Sequence, residues 1–237
     1  MMKFGKITAT ASYVPEQIVT NDQLAQIMDT SDEWIYSRTG IKERHIVTTA
    51  NPSDLCIEVA NRLLAKSQTK PEEISFIIVA TMSPDYHSPS VACLVQGAIG
   101  ATNALAFDLS AACAGFVYAL SMGEKLIRTG SGKGLVIGGE VISKVLDWQD
   151  RSTAVLFGDG AGGVLLEPVE QQHLLKESIH ADGSRAMSLT SGYVNSHNNP
   201  YGHVQPPQNA CLSMVGRDIF DFATRDVVQS LAALIEG

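Results

Sequence analysis

The residue best placed to do chemistry is Cys113, in the run Ser110-Ala111-Ala112-Cys113-Ala114-Gly115. Residues 104–109 read as a buried strand and 112–128 as a long helix, so the cysteine falls at the turn between them. A helix start carries N–H groups without intrahelical partners and the positive end of the helix dipole. Both favour a thiolate over a thiol, and the thiolate is the nucleophile. Small neighbours let a carbonyl approach the sulfur and leave backbone N–H groups open to an oxyanion. The local pattern alone fits a small core cysteine among alanines equally well, because a buried free cysteine packs as an ordinary hydrophobe.

The other candidate signals are weaker. Cys56 and Cys93 sit on apolar helical faces and Cys211 precedes a leucine, so all three read as structural. The four cysteines show no CxxC and no paired spacing, which points to a reducing, cytoplasmic setting. Gly158-Asp-Gly-Ala-Gly-Gly163 has the glycines of a dinucleotide loop, but Val164-Leu-Leu follows instead of a helix. Asp159-Gly160 reads better as a hairpin turn between strands at 154–157 and 163–166. Without HExxH, an EF-hand loop or a Cys/His cluster there is no expected metal, and without GxSxG no serine-hydrolase elbow.

The elements that must position Cys113 alternate in type. Strands are expected at 4–12, 74–81, 104–109, 135–142 and 174–180. Helices are expected at 21–28 with Asn21 as cap, from a Ser31 cap, from Asn51 or Ser53, at 90–99 ended by Gly100, at 112–128 closed by Gly130, and at 217–235. This β-α alternation predicts an α/β layered fold on a largely parallel sheet. Residues 183–207 lack a period and read as an irregular segment.

Composition bounds the rest. The 237 residues are 45% hydrophobic, which excludes a disordered chain. Seventeen Lys+Arg against 25 Asp+Glu give a net charge of −8, which argues against nucleic acid or an anionic membrane as partner. No window approaches the roughly 18–20 apolar residues of a membrane span, and the N-terminus lacks the apolar stretch of a secretory signal.

The segment around Cys113 resembles the nucleophile region of the β-ketoacyl-acyl-carrier-protein synthase III family, thiolase-fold condensing enzymes. Four further stretches agree in order: Thr30-Ser-Asp-Glu-Trp-Ile35 running to Arg38-Thr-Gly-Ile-Lys-Glu-Arg-His45; Pro89-Ser-Val-Ala-Cys93; Asp150-Arg-Ser-Thr153 with Phe157-Gly-Asp-Gly-Ala-Gly162; and His180-Ala-Asp-Gly183 with Met214-Val-Gly216 and Phe220. The resemblance implies that Cys113 takes an acyl group from a short acyl-CoA. Decarboxylation of malonyl-acyl-carrier protein then gives an enolate, which attacks the thioester to form a 3-oxoacyl-carrier protein. It implies no cofactor besides these substrates, acyl carrier protein as partner, and a homodimer. Trp34 and Arg151 would flank the CoA adenine and Arg38 the nucleotide end, as an indole face and guanidinium planes can. A half-buried aromatic and surface ion pairs are the plainer account of those three residues. Thr39, Met214 and Gly216 would line the pantetheine tunnel, Phe220 would abut the nucleophile, and Ser88 would border the acyl pocket. Ser88 replaces a bulky aromatic of some relatives, which implies longer or branched primers; Ser152 replaces a common glycine.

The resemblance also implies a Cys-His-Asn set, and none of the six histidines stands in the context of the family's catalytic His. The expected organisation is therefore a first thiolase-like half at 1–170 and an incomplete second half at 171–237. The chain would then be a fragment whose condensation step is impaired. A related polyketide-starter enzyme and a non-catalytic scaffold subunit are the alternatives.

Overall fold

A computed structural model describes residues 2–193, 201 and 209–236. In chain order the strands are β1 (Phe4–Tyr13), β2 (Ile18–Thr20), β3 (Glu43–His45), β4 (Ile74–Ala80), β5 (Leu105–Leu109), β6 (Lys133–Val141), β7 (Asp159–Val169), β8 (Leu189–Thr190) and β9 (Ser213–Met214). The α-helices are α1 (Asn21–Leu24), α2 (Asp32–Thr39), α3 (Pro52–Ser67), α4 (Val91–Ile99), α5 (Gly115–Arg128), α6 (Gly216–Asp221) and α7 (Val227–Glu236). Two compact units result: Met1–Ile18, His45–Val141 and Gly158–Glu177 form the first, and Val19–Arg44, Ile142–Phe157 and Ser178–Gly237 the second.

The first unit is built on a five-stranded sheet ordered β1-β7-β6-β4-β5. β4 shows why it is covered on both faces. Ile77 and Val79 point into a core shared with α3 and α4, while Phe76, Ile78 and Ala80 pack with Ala119 and Ile127 of α5. That is the two-residue period of a strand buried on both sides, read in sequence as a continuous apolar run. Ile74 joins the α3 side out of phase because the register with β6 shifts between Ile74 and Phe76. Gly134 leaves the place of a Cβ to the Phe76 ring, and Gly139 does the same for the Cys56 sulfur.

The sheet is mixed, which corrects the largely parallel expectation. β4 runs parallel to β5 and β6, but β7 runs antiparallel to both β6 and β1. The hairpin at 154–166 is also corrected. Asp159 and Gly160 open the single long strand β7. Residues 151–156 form turns, because Asp150 accepts the Ser152 N–H at 2.8 Å, the Ser152 hydroxyl at 2.6 Å and the Thr153 hydroxyl at 3.1 Å. A side chain that binds the backbone two residues on competes with strand pairing. Residues 174–180 form no strand; there Glu177 is tied sideways to Lys125 and to Ser121 of α5, each at 2.5 Å. The strand expected to be buried at 104–109 is the sheet's edge, and Leu105 is 47% exposed. Cys93, read as a core residue, is exposed on α4, whereas Cys56 is fully buried.

In the second unit a smaller core gathers Leu24, Met28, Ile35, Ala154 and Val155, with Trp34 and Trp148 against it. Helix α1 is shorter than the expected 21–28, and its cap is Thr20, not Asn21. The Asn21 side chain instead donates to Asp32 at 2.8 Å and to the Ile41 carbonyl at 2.7 Å. Residues 216–236 are helical as expected, with a π-helical stretch at Phe222–Asp226. Most of the irregular segment at 183–207 lies outside the described residues.

Candidate active site

Cys113 lies where β5 hands over to α5. Leu109 ends the strand, Ala112–Ala114 form one 3₁₀ turn, and Gly115 opens the helix. Ala112 sits at φ +45°, the left-handed region an L-residue seldom adopts. This bend turns the chain sharply enough to leave Cys113 on the surface of its unit. Gly115 sits where an added Cβ would stand 3.2 Å from that of Ala80, so its lack of a side chain lets α5 begin close against β4. The first turn of α5 has no side-chain cap; the 3₁₀ turn ahead of it takes the Gly115 N–H on the Ala112 carbonyl and the Ala114 N–H on the Ala111 carbonyl. An exposed cysteine at the head of a helix can meet a carbonyl carbon from solvent.

Carboxylates hold the ground around this turn. Asp108, in β5, accepts the N–H groups of Val91 and Ala92 at 2.7 and 2.8 Å, which caps α4. Burial pushes its pKa above the usual carboxylate range despite those bonds. Glu140 is likewise pushed up by burial and is bonded by Thr81, Met82 and Ser83. Burial, then the charges of Asp108, Glu140 and Asp85, keeps the Cys56 thiol protonated. These acids carried no motif of their own; only their places near strand ends could have flagged them. Ser88 lies in the same unit, exposed, in the segment between β4 and α4.

The second unit holds the other expected residues. Ser31 caps α2, accepting the Trp34 N–H at 3.1 Å. From that helix the Trp34 ring meets two cations: the Arg38 guanidinium carbon at 4.6 Å and that of Arg151 at 4.9 Å from its centroid. Arg151 also donates to the Asp29 carbonyl at 2.8 Å, and its guanidinium lies 3.5 Å from that residue's carboxylate. Arg44, quoted in the sequence stretch 38–45 but given no role there, braces this unit. It is buried, and donates to Val19 O at 3.1 Å, Asn21 Oδ1 at 2.8 Å and Val155 O at 3.1 Å; burial lowers its pKa. The Thr39 hydroxyl donates to Ile35 O at 2.7 Å and accepts the Ile41 N–H at 3.0 Å. Met214 pairs with Leu189 across β8 and β9, Gly216 opens α6, and Phe220 is 66% exposed on that helix. The structure thus brings Trp34, Arg38 and Arg151 together, whereas Cys113 and Ser88 belong to the first unit. Among the described residues no cluster of His, Cys, Asp and Glu could hold a metal ion.

Comparison with known proteins gives this geometry a context. The profile of 3-oxoacyl-[acyl-carrier-protein] synthase III matches residues 107–183, which include Cys113 and Arg151. A β-ketoacyl-[acyl-carrier-protein] synthase III of Enterococcus faecalis is 60% identical over 237 residues, covering 99% of this chain and 73% of the relative. The crystal structure of the Pseudomonas aeruginosa 3-oxoacyl-(acyl carrier protein) synthase III superposes with a TM-score of 0.86 at 33% identity, covering 98% of this chain and 70% of that one. The Thermus thermophilus β-ketoacyl-[acyl carrier protein] synthase III gives 0.83 at 40% identity, covering 92% and 68%.

Proposed function

Because this chain belongs to the β-ketoacyl-[acyl-carrier-protein] synthase III family, the condensing enzymes of fatty-acid synthesis, we propose that Cys113 is the atom its acyl group passes through. The thiolate attacks the carbonyl carbon of a short acyl-CoA, and the oxygen takes the negative charge beside the backbone N–H of Cys113 itself. The C–S bond to CoA breaks, CoA leaves as its thiolate, and an acyl-Cys113 thioester remains. Malonyl-acyl-carrier protein then loses carbon dioxide, and the electron pair of that C–C bond becomes an enolate. The enolate carbon attacks the thioester, the Cys113 sulfur leaves, and 3-oxoacyl-carrier protein is released. In this reading no cofactor takes part.

The observation that carries the reading is an exposed cysteine at a left-handed bend ahead of an uncapped helix. Trp34, Arg38 and Arg151 are read as the nucleotide clamp, Thr39, Met214 and Gly216 as the pantetheine path, and Ser88 and Phe220 as acyl-pocket residues. A small Ser88 leaves that pocket open to primers longer or more branched than acetyl. Residues 1–170 are read as the first thiolase-like half and 171–237 as part of the second. The nature of both substrates favours the cytoplasm, and among the described residues no helix is long and apolar enough to cross a membrane. Family likeness favours a homodimer.

Incubation with acetyl-, isobutyryl- or isovaleryl-CoA, followed by peptide mass spectrometry, tests this. Mapping is needed because Cys93 is exposed too. One acyl group is expected on the Cys113 peptide, none on a Cys113→Ala chain, with branched primers accepted at rates comparable to acetyl. An unmodified Cys113 peptide rejects the thioester, and strict acetyl preference rejects the role of Ser88. Release of the acyl group by malonyl-carrier protein and not by malonyl-CoA identifies the acceptor; it is expected to be slow beside acylation, since no histidine stands in the family's catalytic context.

A further inference from the structure

One side chain that the acyl-transfer steps do not use ties the end of β6 to the turn that follows β4, and the backbone of that turn reaches the end of β5. Glu140, one residue from the end of β6, accepts the Met82 N–H at 2.8 Å through Oε1. Its Oε2 accepts the hydroxyls of Ser83 at 2.5 Å and Thr81 at 3.2 Å. The Ser83 hydroxyl oxygen in turn accepts the Val141 N–H at 2.9 Å, closing the loop back onto β6. The Thr81 N–H donates to the Leu109 carbonyl at 3.1 Å, at the strand end that leads into the Cys113 turn. Beyond Ser83 the chain runs through Asp85, which accepts the Ser53 N–H at 3.0 Å and its hydroxyl at 2.7 Å, to Ser88 and the α4 start held by Asp108. The Glu140 carboxylate is partly desolvated, and the hydrogen bonds it gains come from hydroxyls and an amide of one short turn. A desolvated carboxylate so placed fixes geometry, because each donor left without it would face its own desolvation cost.

We propose that Glu140 is a positioning residue for acylation: its carboxylate sets the 81–83 turn, and thereby the acyl-pocket segment 84–90 and the strand end that presents Cys113. This rests on the reading of Cys113 as the acylated sulfur and Ser88 as a pocket residue.

Three variants of the full chain test it: Glu140→Gln, Glu140→Ala and Ser83→Ala. Two readouts are taken, amide hydrogen exchange at Met82 and Val141, and the ratio of Cys113 acylation rates with acetyl-CoA and isovaleryl-CoA. Alkylation of Cys113 by iodoacetamide monitors the sulfur itself. In Glu140→Ala, exchange at both amides is expected to quicken about tenfold or more and the primer ratio to shift by a similar factor. Alkylation should stay within about threefold, since the sulfur remains exposed. Ser83→Ala should move both readouts in the same direction by less, and it decides the matter if Glu140→Ala does not fold. Glu140→Gln, which keeps the shape and the Oε1 acceptor, should restore wild-type exchange and ratio. Wild-type exchange in the folded Ala variants overturns the role of Glu140, whatever the acylation result. Altered exchange with an unchanged primer ratio overturns the link to the pocket. A wild-type chain that is never acylated speaks against the reading of Cys113, while the exchange data still judge Glu140.

Discussion

At the scale of single residues, the Trp34 indole is already covered by guanidinium groups. With the Arg151 carbon 4.9 Å from the ring centroid there is no gap for a base between the two, so an adenine can stack on that face only if Arg151 gives way. The indole then exchanges a cation contact for base stacking. Trp34→Ala is therefore expected to weaken CoA binding roughly tenfold or more, with little change in Tm, because a stacked base contributes about 1–3 kcal/mol. Isothermal calorimetry with CoA reads it, and unchanged affinity removes Trp34 from the clamp. Ala112 makes a second prediction. A left-handed L-residue costs about 1–2 kcal/mol, and glycine avoids that cost while losing about 0.4–1 kcal/mol through the freer unfolded chain. Ala112→Gly should be neutral or up to about 1.6 kcal/mol more stable. Ala112→Val should be destabilised by about 2 kcal/mol or more, because β-branching is poorly tolerated at positive φ. Urea denaturation separates the pair; equal stabilities would show that the bend does not hold in solution.

At the scale of elements, what could be read in sequence was what repeats or caps. The apolar run of β4, the Ser31 cap, the Gly100 end of α4 and the helix after Cys113 all follow from local patterns. Strand direction did not, because β7, antiparallel to both its neighbours, is as apolar as β6 beside it and nothing local records its partner. The Asp159-Gly160 pair looked like a turn, yet its pairing with Glu140 and Val141 draws it into a strand. Tertiary pairing outweighs turn preference there. The roles of Arg44 and Glu140 stayed invisible for the same reason: the hydrogen-bond partners of both are distant in sequence. The packing of α3 on β6 is where an element-scale prediction belongs. A methyl group at Gly139 would collide with the Cys56 sulfur and stand 3.3 Å from the Ala161 Cβ. Gly139→Ala should cost about 1–3 kcal/mol, the usual range for overpacking. Cys56→Ala should cost clearly less in that background than alone, since it makes the room the new methyl needs. Additive losses across the double-mutant cycle would mean that the two positions do not touch.

At the scale of the whole molecule, two populations of carboxylates pull stability in opposite directions with pH. Hydrogen bonds hold several surface acids below the usual range: Glu73 through the Lys70 N–H, Asp150 through the Ser152 hydroxyl, Glu177 through the Lys125 ammonium and Asp182 through the Ser184 hydroxyl. Their contribution is present above the unfolded pKa and is lost as pH falls through the lower folded value. Asp108 and Glu140 behave in reverse. Burial raises both above their ordinary values of 3.8 and 4.5, so the folded chain binds those protons more tightly than the unfolded one. Their favourable share is complete below the ordinary values and drains away as pH climbs through the raised ones. Salt screens the exposed ion pairs far more than the buried acids, so in high salt the second population sets the slope. Glu140→Gln removes one member and keeps its shape, and hydroxyls such as that of Ser83 can turn to accept from the new amide. The Tm of Glu140→Gln relative to wild type is therefore expected to rise in high salt as pH climbs above the ordinary value of 4.5, as ionisation penalises only the carboxylate. A difference that stays flat, or that moves toward the wild type, would mean that Glu140 ionises as freely in the fold as in the unfolded chain.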